Sequence, residues 1–161
     1  FQFINLQKQK NNMASTVTAA DLLVTITESY TLNNVSYGNT TTKTFSSNGQ
    51  VDQRIMNVST TTERTLFNFG SVDSAGTGVA TNYVYFRVTN LDDTNFVSLR
   101  LYNGDDSFWI KLAAGESLLL MNNEIDAIAD SSTFGAFEDI TSVSAKADTA
   151  ACDVEFIAVT T

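Results

Sequence analysis

The stretch NYVYFRVTNLDDTNFVSLRLYNGDDSFWIKLAAGESLLLMN, residues 82–122, decides the fold. Val84, Phe86 and Val88 alternate with Tyr85, Arg87 and Thr89, and Leu91-Asp92-Asp93-Thr94 then interrupts the pattern. A second alternation sets Val97, Leu99 and Leu101 against Ser98, Arg100 and Tyr102, and Asn103-Gly104-Asp105 turns the chain. A third sets Phe108, Ile110 and Leu112 against Trp109, Lys111 and Ala113, and Ala114-Gly115-Glu116 leads to Leu118 and Leu120. Branched and aromatic residues at a period of two, between Asp- and Asn-Gly-rich turns, predict four consecutive antiparallel strands in a meander. The first member of each set predicts the core: Val84, Phe86, Val88, Val97, Leu99, Leu101, Phe108, Ile110 and Leu112.

Upstream, Leu22, Val24, Ile26 and Tyr30 alternate with Leu23, Thr25, Thr27 and Ser29, a first strand that Asn33-Asn34 and Gly38-Asn39 break. Thr40–Ser47 reads as a Thr-rich strand near a sheet edge, with Phe45 as its one large anchor. Ser47-Asn48-Gly49 is a hairpin signal leading into Val51–Val58. Arg64–Phe69 is a further strand with Phe67 and Phe69 on one face, and Gly70–Gly78 is a loop. Downstream, Asn122–Phe137 forms either one short helix or a long loop, with Phe134 and Phe137 placed to tuck under the sheets as a plug. Ile140–Ala147 and Cys152–Val159 read as a closing hairpin around Ala147-Asp148-Thr149. The whole is an all-β chain, an antiparallel β-sandwich or jelly-roll-like fold of nine or ten strands. Residues 1–20 are expected as an N-terminal arm and 21–161 as a single sandwich domain.

Composition narrows function mainly by exclusion. The 161 residues carry nine basic and eighteen acidic side chains, net −9, with 43% hydrophobic content. Phosphate neutralisation needs clustered Lys and Arg, so neither nucleic acid nor an anionic membrane surface is an expected partner. No apolar run is long enough to read as a spanning helix. The chain has no histidine, which removes the commonest general base and metal ligand and every Ser-His or Cys-His pair. Its one cysteine, Cys152, alternates with Val154 and Phe156 and reads as a buried core thiol. Proline is absent, where average usage gives roughly eight. Sheet edges must therefore be protected by charge, bulges or a neighbouring subunit, and the last suits an assembly protein.

Carboxylates are the remaining candidates for chemistry. In a meander, Asp92, Asp93 and Glu116 share one end, and Asp105 and Asp106 share the other with Glu124, Asp126 and Asp130. The second group has the oxygens that calcium wants, but its spacing matches no calcium loop. Solvated turn residues are the expected account, with no metal, no cofactor and no catalytic set. The Gly70–Gly78 loop lacks the lysine and following helix of a phosphate cradle. Three Asn-X-Ser/Thr sequons, at Asn34, Asn39 and Asn57, are what an Asn- and Thr-rich chain contains by chance.

Two surfaces remain for interaction. Tyr83, Tyr85, Tyr102 and Trp109 fall on the outer face of the expected meander, where they would form an aromatic platform for a sugar or a protein neighbour unless the chain's own second layer covers them. In the N-terminal arm, Phe1, Phe3, Ile4 and Leu6 are expected to dock on a neighbouring chain, with Lys8 and Lys10 meeting its acidic residues. The chain begins with Phe1, and Met13-Ala14-Ser15 reads as a plausible start in its own right.

The phrases YFRVTNLDDTNFVSLRLYNGDDSFWIKLAAGES (85–117) and DITSVSAKADTAACDVEFIAV (139–159), with the early LLVTITESYTLN (22–33), resemble small uncharacterised virion-associated β-sandwich proteins of marine tailed phages. The layout spans 13–161, and the residues before Met13 lie outside it. The resemblance implies a virion structural protein of the capsid decoration or cement kind. Its partners would be the major capsid protein, other virion subunits or further copies of itself, a trimer among them. The family has no catalytic residues to carry over. The alternative is a carbohydrate- or receptor-binding module of a phage tail or fibre, resting on the Tyr and Trp face.

Overall fold

A computed structural model describes residues 18–70, 77–79, 83–125 and 137–160, and among them the chain forms thirteen strands and no helix. In order these are β1 (Ala20–Leu32), β2 (Val35–Asn48), β3 (Gln50–Val58), β4 (Arg64–Gly70), β5 (Thr77–Val79), β6 (Tyr83–Asn90), β7 (Val97–Tyr102), β8 (Ser107–Leu112), β9 (Ser117–Leu120), β10 (Glu124–Ile125), β11 (Glu138–Asp139), β12 (Ser142–Ala147) and β13 (Cys152–Thr160). Two sheets, β5-β4-β12-β7-β8 and β3-β13-β6-β9, pack face to face as a β-sandwich. β10 and β11 form a small separate pair, and β1 and β2 a long hairpin of their own.

The period-two pattern puts the core where alternation requires it. Phe86, Val88, Val97, Leu99, Leu101 and Leu112 are buried between the layers, joined by Phe67, Phe69, Val143, Val154 and Phe156. Phe67, Phe86 and Phe156 meet with ring centroids 5.8–6.1 Å apart, in tilted, edge-on and stacked pairs that add to the apolar burial. Cys152 is fully buried beside them, and burial pushes its thiol up from its ordinary range.

Two expected core residues, Val84 and Phe108, are placed differently. β6 carries a bulge: Val159 pairs with Tyr85 but Thr160 with Tyr83, leaving Val84 without a partner. One extra residue swaps the faces of what precedes it, so Tyr83 turns into the core and Val84 packs half-buried on the opposite side. Phe108 lies at the hairpin end of β8, an edge strand, and stays 39% exposed. Ile110 is half-buried against the core.

The meander is corrected more deeply. β6 belongs to the four-stranded sheet and β7 and β8 to the five-stranded one, and β9 returns to pair with β6. Only Asn103–Asp106 joins its flanking strands as a hairpin; the turns at 91–96 and 113–116 are arches between layers. The same holds at Ser47-Asn48-Gly49, because β3 pairs with β13 and not with β2. Ala147-Asp148-Thr149 likewise joins β12 in one sheet to β13 in the other. β5, inside the expected Gly70–Gly78 loop, pairs parallel with β4, a departure from an all-antiparallel arrangement.

Asn90 makes one arch possible. It is fully buried, and its Nδ2 donates to the carbonyls of Asn95, Leu112 and Ala113 at 2.8–3.3 Å while its Oδ1 accepts the Asp92 amide. The end of β6 in one layer is thereby tied to the end of β8 in the other. A buried amide satisfied this fully fixes a crossing that the side-chain pattern alone leaves open.

Candidate functional site

Among the described residues, the hairpin β1–β2 is the one large element that does not belong to the sandwich. Its strands pair from Ala20↔Asn48 to Leu32↔Val35, and Asn33 and Asn34, at φ 51° and 64°, form the two-residue turn. Positive φ at both turn residues matches the right-handed twist of the flanking strands, and asparagine tolerates it better than most residues. Asn33-Asn34 thus ends β1 as expected, but Gly38-Asn39 does not interrupt the second strand, which starts at Val35. At Gly38 (φ +152°) a Cβ would sit 2.1 Å from the Glu28 carbonyl oxygen, so the two strands approach there as only glycine allows.

Directly paired residues share a face, and the register sorts the hairpin cleanly. One face holds Leu23 against Thr44, Thr25 against Thr42, Thr27 against Thr40, Ser29 against Gly38 and Thr31 against Ser36, with Leu23 its one large apolar side chain. The other holds Leu22 against Phe45, Val24 against Lys43, Ile26 against Thr41, Glu28 against Asn39, Tyr30 against Tyr37 and Leu32 against Val35. Only the base of this second face is covered. Val24 is buried, and Leu22 and Phe45 are half-buried, against Tyr85, Val84, Val159 and Ile157 on the outer side of the four-stranded sheet. The Asn48 amide locks the base by donating to the Ala20 and Phe45 carbonyls.

Beyond Val24 every residue to Leu32, and every residue of the return strand from Val35 to Thr44, is exposed. That is a free ribbon of about 27 Å at ~3.4 Å per residue. Along it Ile26, Tyr30, Leu32, Val35 and Tyr37 are 41–59% exposed, and the Tyr30 and Tyr37 rings stack at 5.0 Å. An isolated two-stranded hairpin is marginal in water, so this ribbon leans on its docked base and its cross-strand pairs.

The expected aromatic platform is dispersed. Tyr83 is inside the core, donating its hydroxyl to the Leu120 carbonyl, and burial raises its pKa far above the usual range. Tyr85 is buried under the hairpin base on the outer side of the four-stranded sheet, and burial raises its pKa too. Tyr102 and Trp109 remain together on the outer side of the five-stranded sheet. Arg100 lies between them, its Cζ 5.6 Å from the Tyr102 ring and 5.8 Å from the Trp109 ring. Its Nε donates to Glu63 at 2.6 Å, and Trp109 is 52% exposed. Phe1, Phe3, Ile4 and Leu6 lie outside the described residues.

The carboxylates mostly shape turns. Asp92 accepts the Thr94 and Asn95 amides, which hold its carboxyl below the ordinary range, and Glu116 accepts the Ala113 amide. Asn103 and Asn123 donate to Glu138 and Asp139 at the other end, while Asp126 and Asp130 lie outside the described residues. No three acidic or thiol groups converge among the described residues. Phe137, half of the expected plug, is 58% exposed, and Phe134 lies outside the described residues.

The ribbon is the feature that reading the sequence missed. Leu22, Val24, Ile26 and Tyr30 were legible as a strand, and alternation implied a buried face. The signal for a ribbon was the mirror symmetry about Asn33-Asn34, with Leu32/Val35 and Tyr30/Tyr37 at matched distances. Comparison with protein-family models, curated proteins and solved structures returned no match.

Proposed function

We propose that this protein is a structural assembly subunit, of the decoration or cement kind on the head of a tailed phage. The observation that carries the reading is the ribbon: the sandwich extends about 27 Å of hairpin whose apolar face is exposed among the described residues. Contiguous exposed apolar surface on a soluble protein marks an interaction site more often than chance. The acidic surface and the turn-forming use of the carboxylates fit a structural role. The phrases at 85–117 and 139–159 resemble virion-associated proteins and supply the setting. The major capsid protein and copies of this chain are the partners proposed.

Antibody raised against the whole chain tests the reading on intact phage particles under the electron microscope. Regular labelling over the head is expected. Labelling confined to the tail moves the protein to the second reading, and particles without label overturn both.

That second reading, a carbohydrate- or receptor-binding module of a tail or fibre, rests on Trp109, Arg100 and Tyr102. An exposed indole beside a guanidinium already oriented by Glu63 offers an apolar face and a donor to a sugar ring. A glycan array separates it from the first, since only this reading expects binding that Trp109→Ala abolishes.

A further inference from the structure

We infer that the uncovered ribbon face of one copy docks on the outer side of the four-stranded sheet of a second copy, beside the place where that copy's own ribbon base is seated. The inference rests on the assembly reading above and names the partner as this same chain.

The molecule already shows one such contact within itself. The ribbon row that begins with Leu22, Val24 and Phe45 sits on Tyr85 and Val159 of this sheet side, and Ile157 packs at its margin. Both partners in that contact continue past it. On the ribbon the same row runs on as Ile26, Glu28 and Tyr30. On the sheet, pairing places Gln53, Ile157, Arg87 and Leu119 side by side across four strands. The flanking Val51 and Ile55 are 65% and 64% exposed.

Charge sets the register. Glu28 is the one carboxylate inside the apolar ribbon row, and it makes no ion pair among the described residues. Arg87 is the one cation in the sheet row. Its Nη2 donates to Glu155 at 2.7 Å, its Nε is buried without a partner among the described residues, and the side chain as a whole is 32% exposed. From Ile26 to Tyr30 is about 14 Å along the ribbon, and from Gln53 to Leu119 about 14 Å across the sheet, so the two rows match when the strands cross. A guanidinium with donors to spare then meets a carboxylate between apolar neighbours.

Net charge and area favour a second copy. Residues 20–48 carry Asp21, Glu28 and Lys43, net −1, so most of the chain's −9 lies in the sandwich. Sandwiches repel one another, and the ribbon is the part that approaches with little penalty. Its five exposed apolar side chains offer roughly 500 Å², and Glu28, Asn39, Thr41 and Lys43 on the same face carry the contact toward the ~800 Å² per partner of a stable interface. Donor and acceptor are different surfaces, so the contact is either exchanged reciprocally in a two-fold dimer or runs head-to-tail into a ring or filament.

The test is the mass of the full chain in solution, by light scattering across a concentration series, with circular dichroism to confirm folding. Wild type is expected to associate with concentration. Glu28→Arg and Arg87→Glu should each weaken association at least about tenfold, and the double swap should restore it to within about threefold. Ile55→Ser on the acceptor side adds no charge beside its cross-strand partner Glu155 and should weaken association similarly, which covers the case that Arg87→Glu misfolds beside Glu155. A wild type that stays monomeric at ~200 µM overturns the inference, as does association that Glu28→Arg and Ile55→Ser leave unchanged. Head labelling by the antibody with no self-association would sink this inference and leave the assembly reading standing. Self-association without labelling would do the reverse.

Discussion

Phe86 on β6 and Tyr30 on β1 hold equivalent places in alternating apolar strands, yet Phe86 is 0% exposed and Tyr30 is 59% exposed. The difference is the presence of a second layer. β6 faces another sheet across the core, whereas β1 beyond Val24 faces none among the described residues. Alternation therefore says that a strand has one apolar face and leaves open what covers it. In the sandwich that cover is intramolecular and supplies stability. On the ribbon the same chemistry is left for something else to cover, and stability there is local and low. The two regions should respond oppositely to substitution, and the variants below are ordered by the size of the response expected.

Asn90→Ala should have the largest effect. It removes the Asn90 partner of the Asn95 and Leu112 carbonyls and of the Asp92 amide where β6 crosses between layers, while the Ala113 carbonyl keeps the Glu116 amide, and each buried group left unsatisfied costs about 1–3 kcal/mol before relaxation. A loss of about 3 kcal/mol in urea unfolding is expected. A loss under about 1 kcal/mol would show that the crossing is not held there.

Tyr83 should contribute to the alkaline decline of the sandwich, alongside Tyr85 and Cys152, whose pKa values burial also raises. Its pKa is raised by burial, so its contribution is fully present below the unfolded value near 10 and lost as pH rises beyond it. Tyr83→Phe should cost about 1 kcal/mol at neutral pH, where the bond to the Leu120 carbonyl is lost, and should flatten the alkaline decline. Parallel pH–stability curves for the two proteins above pH ~10 would contradict this.

Gly38→Ala should act on the ribbon alone. A Cβ there would collide with the Glu28 carbonyl, so the distal pairing must open. Amides of 26–41 are expected to lose hydrogen-exchange protection while the melting temperature moves by less than about 2 °C. A larger shift would mean that ribbon and sandwich fold as one unit.

How much of this was legible follows the same division. Strand periodicity, the buried Cys152, the Phe67/Phe69 face and the Phe45 anchor could all be read, because each depends on residues a few positions apart. Layer assignment could not. Asn103-Gly104 makes a hairpin and Ala147-Asp148-Thr149 an arch, and nothing in their turn chemistry says which. That choice is made by distant partners, such as β13 pairing with β3 about a hundred residues earlier in the chain. The Val84 bulge was hidden for the same reason, since only the register against β13 reveals it; it took Tyr83 out of the expected platform, while the layer assignment parted Tyr85 from Tyr102 and Trp109. The ribbon face was visible residue by residue, but its exposure depends on the layer that is missing.

The most direct measurement is a paired one on the triple variant Tyr30→Ser, Leu32→Ser, Val35→Ser, recording its melting temperature and its association by light scattering. The account predicts a melting temperature within about 2 °C of wild type, because these side chains bury nothing in the sandwich, together with loss of association. A melting temperature lower by more than about 5 °C, or association equal to wild type, would contradict the claim that the sandwich holds the stability and the ribbon makes the contact.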